Sequence, residues 1–80
     1  MSENSLGGKV TGVNGNMVSV AFTDRVTQNE VAYVVTGDKA RLKSEVIRVR
    51  GREADIQVFE STAGVKIGDD VEFTGQMLSV

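Results

Sequence analysis

The sequence predicts an all-β domain in which six or so short strands close into a small antiparallel barrel, and three observations predict it. Apolar residues recur two apart, and no segment shows the i, i+3, i+4, i+7 spacing of a helix face over three turns. Glycines punctuate nearly all of the gaps between these runs. The 80 residues are too few for a two-sheet sandwich of ordinary size, whereas closing a barrel hides the strand edges of a short chain. Strands are expected near 8–13, 17–23, 30–36, 41–50, 53–59, 70–74 and 77–80.

Taken in order, residues 1–7 read as a flexible N-terminal arm, and 8–80 as one barrel domain. LGGKV holds a Gly-Gly-Lys, yet Val10 stands where a phosphate loop requires a hydroxyl for magnesium, and the G-x-x-x-x-G-K spacing is missing. Around VNGNMV the first hairpin can turn on Asn14-Gly15, on Gly15-Asn16 or on a three-residue loop. The second choice sets Val13 opposite Val18 and sends Thr11 and Val13 inward with Val18, Val20 and Phe22; the first would face Gly12 against Met17. TDRVTQN, 23–29, is a polar connection without helical period.

EVIRVR-GR-EADIQV is the clearest hairpin, because Gly51 can take the positive φ demanded at the first position of a type II′ turn. Its two-residue loop sets Arg50 opposite Glu53, Val49 opposite Ala54, Arg48 opposite Asp55 and Ile47 opposite Ile56. One face is then apolar and the other carries opposite charges in pairs, each worth about 0 to 1 kcal/mol at an exposed site. This alternation points Val46 and Phe59 outward with Gln57, and Ile47, Ile56 and Val58 inward. An ordinary surface hydrophobe, or a bulge after Val58 that returns Phe59 to the core, are the competing readings of the aromatic.

Composition excludes several functions. The chain has no Cys and no His, which removes disulfides, thiolate metal sites and the commonest general base, and the lack of Cys suits an intracellular address. Nine Lys and Arg against eleven Asp and Glu give a net charge of −2, so no overall field favours nucleic acid or an anionic membrane. No apolar run approaches the roughly 18 to 20 residues that span a bilayer. Asp69, Asp70 and Glu72 lack calcium-loop spacing and read as a solvated turn and outer face flanking an inward Val71. KARLKSEVIRVRGR, 39–52, gathers Lys39, Arg41, Lys43, Arg48, Arg50 and Arg52, the best argument for an RNA-binding barrel. Against it, two of those arginines face acidic partners, and the chain has only one Tyr and three Phe to stack on bases. No catalytic, nucleotide-binding or metal-ligating residue emerges.

IQVFESTAGVKIGDDVEFTGQMLSV, 56–80, resembles the end of the N-terminal β-barrel of rotary ATPase catalytic and regulatory subunits. Gln57, Val58, Phe59, Glu60, Thr62 and Gly64 fall on Q-V-F/Y-E-x-T-x-G, and Gly68, Val71, Thr74, Gly75 and Leu78 on G-x-x-V-x-x-T-G-x-x-L. Within that superfamily EVIRVRGREADIQVFE, Gly68-Asp69 and the final LSV are similar to the catalytic A subunit of V/A-type ATPases or ATP synthases; the non-catalytic B subunit is the alternative. Asn14-Gly15-Asn16 departs from relatives, which often have Gly followed by Pro.

The resemblance covers roughly 8–80 and implies a six-stranded closed barrel. It further implies a crown ring of alternating A and B barrels atop a catalytic hexamer, in the soluble head of the complex, cytoplasmic and without direct membrane contact. Mg-ATP, the phosphate loop and the arginine finger belong to later domains of such a subunit, which hydrolyses or makes ATP coupled to proton or sodium transport. The chain is then expected to be a fragment, non-catalytic by itself, with Val46 and Phe59 as its candidate subunit contacts.

Overall fold

Alternation and glycine turns produce six strands in the computed structural model, which describes residues 7–23 and 25–77. They are β1 (Gly7–Asn14), β2 (Met17–Phe22), β3 (Glu30–Val35), β4 (Arg41–Arg50), β5 (Glu53–Val58) and β6 (Asp70–Met77). All neighbours are antiparallel and the sheet closes in the order β1-β2-β5-β4-β3-β6. Gly7, expected in the arm, is the first residue of β1 and lies opposite Glu72. Residues 1–6, the rest of that arm, lie outside the described residues.

Inward Val10, Val18, Val20, Val34, Ile56, Val58 and Val71 fill the barrel. Phe22 and Phe73 meet edge to face at 6.0 Å, the geometry favoured by the quadrupoles of two rings. Two connections add to this core. Val26, from the run expected to be a polar connection, is buried, as is Val65 from the link between β5 and β6. Val26 is a single apolar residue in a polar run and so has no period, while Val65 stands two before Ile67, which is exposed, so spacing alone does not say which of the two enters the core.

The second hairpin turns at Gly51-Arg52 as expected, and the first takes one of the alternatives its sequence left open. Asn14 faces Met17 and Val13 faces Val18, so Gly15-Asn16 is the central pair. Gly15 and Gly51 have φ of 63° and 59° while Asn16 and Arg52 stay out of the positive region, which is the type II′ pattern rather than I′. Bulges, however, shift what each hairpin buries. In β1 an extra residue, Thr11, stands between Val10 and Gly12, so Val10 is the buried residue and Thr11 is exposed. Val13 keeps to the side of Val18 but lies beside the turn and is 41% exposed, not inward as expected.

In β4 the expected register holds from Arg50 back to Arg48, then slips at Ile47, and Val46 rather than Ile47 faces Ile56. One extra residue inverts the side of everything before it. Val46 is therefore at 0% exposure within the core, and Ile47 is only half-buried.

The two expected segments 70–74 and 77–80 are not separate strands at their junction. β6 continues to Met77, with a distortion where Ala32 faces Phe73 and Glu30 faces Met77. Gly75 absorbs it at φ 75°. Residues 78–80 lie outside the described residues.

Candidate interaction surface

The expected outer-wall contacts separate here. Val46 is sealed inside and cannot touch a neighbour; the assumption of an unbroken β4 register placed it wrongly. Phe59 is outward and 46% exposed. Alternation along β5 runs without a bulge from Glu53 to Val58, which is why its side was legible. Its backbone is pinned on both sides. The Phe59 N–H donates to the Lys43 carbonyl at 3.0 Å, and Asn16 Nδ2 donates to the carbonyls of Val58 and Glu60 at 3.1 and 3.3 Å. Thr62 Oγ1 donates to the Gly15 carbonyl at 2.7 Å, tying the following link to the same hairpin. The ring is thus presented from a fixed strand end.

Met17, on β2 opposite Gln57, is a second exposed apolar side chain on that wall. It was missed by the sequence reading, although inward Val18, Val20 and Phe22 already imply an outward residue 17. Val13 is exposed at the same hairpin, giving three apolar groups at one end of the barrel.

Some of the exposed charged residues are engaged with one another. Arg41 lies 4.5 Å over the Tyr33 ring and reaches Glu72 at 2.6 Å, while Lys9 pairs with Asp70. Asp69 Oδ2 accepts the Lys66 N–H at 2.8 Å. Arg50 pairs with Asp55 at 3.2 Å, diagonally to the direct Arg50–Glu53 register. Among the described residues no group of three or more His, Cys, Asp or Glu could hold a metal ion. Asp38 is held below the usual carboxylate range, chiefly by the Thr36 hydroxyl and then by the Ala40 N–H.

Several motif residues are structural. Val58 and Val71 are core, Gly68 takes φ 96° and Gly75 takes φ 75°, and Thr74 Oγ1 donates to the Val31 carbonyl at 2.7 Å. A groove of about 720 Å³ lies between the ends of β1, β2 and β6. Gly7, Gly8, Phe22 and Phe73 are among the residues that line it.

Comparison with known proteins gives one consistent result. Residues 10–75 match the family model described as ATP synthase alpha/beta family, beta-barrel domain. The chain is 64% identical over 73 residues to a V-type ATP synthase alpha chain of Treponema denticola, 91% of this chain and 12% of that protein. Identity is 66% to V-type ATP synthase alpha chain 1 of Treponema pallidum and 53% to the V-type ATP synthase alpha chain of Borreliella burgdorferi, with the same coverage. The chain therefore spans about 12% of the length of these curated relatives.

Proposed function

The chain belongs to the ATP synthase alpha/beta family, as a β-barrel domain of its V-type alpha-chain branch, and from that premise we propose that it is an assembly module of a rotary ATPase head. Its relatives match this reading rather than that of an RNA-binding barrel. The barrel packs against neighbouring A- and B-type barrels in a ring, and holds the hexamer together while ATP is hydrolysed or made in other parts of the subunit. Mg-ATP and coupling to protons or sodium belong to those parts. The head is soluble and peripheral to the membrane; among the described residues no helix is long and apolar enough to cross one.

The observation that supports this most directly is Phe59, exposed on the outer wall of a closed barrel. A closed barrel offers no sheet edge for strand addition, so its contacts fall to outward side chains. Exposed aromatics on a fixed backbone are efficient anchors, because the ring buries much area and loses little freedom. Burying such a ring contributes on the order of 1 to 3 kcal/mol. Phe59→Ala in the full-length subunit should lower incorporation into the hexamer, read by native mass spectrometry. Wild-type assembly by that variant would remove the contact from the proposal.

A further inference from the structure

Glu30, the first residue of β3, is 3% exposed although it bears a carboxyl group. A buried carboxylate persists only where donors replace its water. Here two backbone N–H groups do so. Oε1 accepts from Thr27 at 2.9 Å, in the link between β2 and β3, and Oε2 accepts from Gly75 at 2.6 Å, in β6.

The position of Gly75 explains why a side chain is needed. Between the Ala32–Phe73 and Glu30–Met77 pairs, the three residues Thr74, Gly75 and Gln76 stand against the single residue Val31. A ladder with this mismatch cannot serve every N–H with a carbonyl across the strand. Glu30 takes the N–H of Gly75, and Thr74 Oγ1 takes that of Gln76 at 3.1 Å while donating to Val31. On the other side Glu30 N–H bonds the Thr27 carbonyl at 3.2 Å, and Asn29, at φ 74°, bonds the Val46 carbonyl at 2.7 Å. One side chain therefore joins the β2–β3 link to a bulge of β6 that lies 45 residues from Glu30 in sequence, and neither segment lies in a regular ladder.

We propose that Glu30 is a latch that couples the β2–β3 link to the β6 bulge, so that the two segments open and close as one unit. The latch fixes the path of residues 75–77 along the barrel wall. Its role is independent of the outer-wall contact at Phe59.

Amide hydrogen exchange by NMR on the 80-residue chain tests the coupling. In the wild type, Thr27 and Gly75 should exchange through one local opening, with equal opening free energies below those of β2 and β5 amides. Glu30→Gln keeps the size but leaves one acceptor oxygen for two donors. It should accelerate both amides by about tenfold to a hundredfold and leave core-strand amides within about twofold. Thr74→Val, which removes the bonds to Val31 and Gln76 but touches no group of the β2–β3 link, should also accelerate Thr27. Acceleration of Gly75 alone, uniform acceleration of all amides, or unequal opening energies in the wild type would overturn the latch. The wild-type comparison stands even where a variant fails to fold.

Discussion

Gly8 shows how tightly single atoms are constrained in so thin a wall. A Cβ built there would lie 2.6 Å from Val20 Cγ1 and 2.7 Å from the Ala21 carbonyl oxygen, whereas one at Gly64 would meet nothing within 4 Å. Gly8→Ala is expected to cost about 1 to 3 kcal/mol of stability as overpacking, and Gly64→Ala to stay within about 0.5 kcal/mol, both measured by urea unfolding. Val46 and Phe59 give the complementary contrast. Val46→Ala removes two methyl groups from the core and should lower stability by about 2 to 3 kcal/mol. Phe59→Ala should lower the melting temperature of the barrel far less than Val46→Ala, because nearly half of the residue is already in water. Equal losses from both would contradict the burial assigned to them.

Among the elements, the hairpins follow from local rules and the bulges do not. Gly15 and Gly51 announce their turns because an L-residue resists positive φ. Nothing local marks Thr11 or Ile47 as the extra residue, since both suit a strand in either direction. The turn between β3 and β4 carries a pH-dependent prediction. Thr36 Oγ1 donates to Asp38, and the Thr36 N–H donates to the Ala40 carbonyl at 3.0 Å. Because Asp38 is held lower in the folded chain than when unfolded, it binds fewer protons folded, and its contribution is present above the ordinary carboxylate range. That contribution is lost as pH falls through the lowered value. An NMR titration of the Lys39 and Ala40 amides should show a midpoint below that of an unstructured Asp, and Asp38→Asn should abolish the step. A midpoint at or above the ordinary value would contradict the hydrogen bonds drawn here.

For the whole molecule, closure of six strands accounts for both its stability and its limits as a binding protein. The interior is filled by side chains, and the Gly-Gly-Lys of β1 is part of a strand rather than a loop opening a helix. The 80-residue chain should therefore give neither heat nor chemical-shift changes when titrated with Mg-ATP. Micromolar binding would place a nucleotide site in the barrel and defeat the division of labour proposed above. The candidate surface was only half legible from sequence at this scale. Phe59 follows an unbroken alternation, but Val46 sits one residue before a slip that only the closed sheet reveals.

The sequence by itself determined the strand class, the Gly51-Arg52 hairpin turn and the family. These depend on period-two patterning, on glycine φ, and on motif residues whose spacing is local. Tertiary structure decided which side chains lie inside where registers slip, that Val26 and Val65 of the links enter the core, and why Glu30 is buried. Each of those depends on a partner strand distant in the chain. Its position is fixed only when all six strands must satisfy their hydrogen bonds at once.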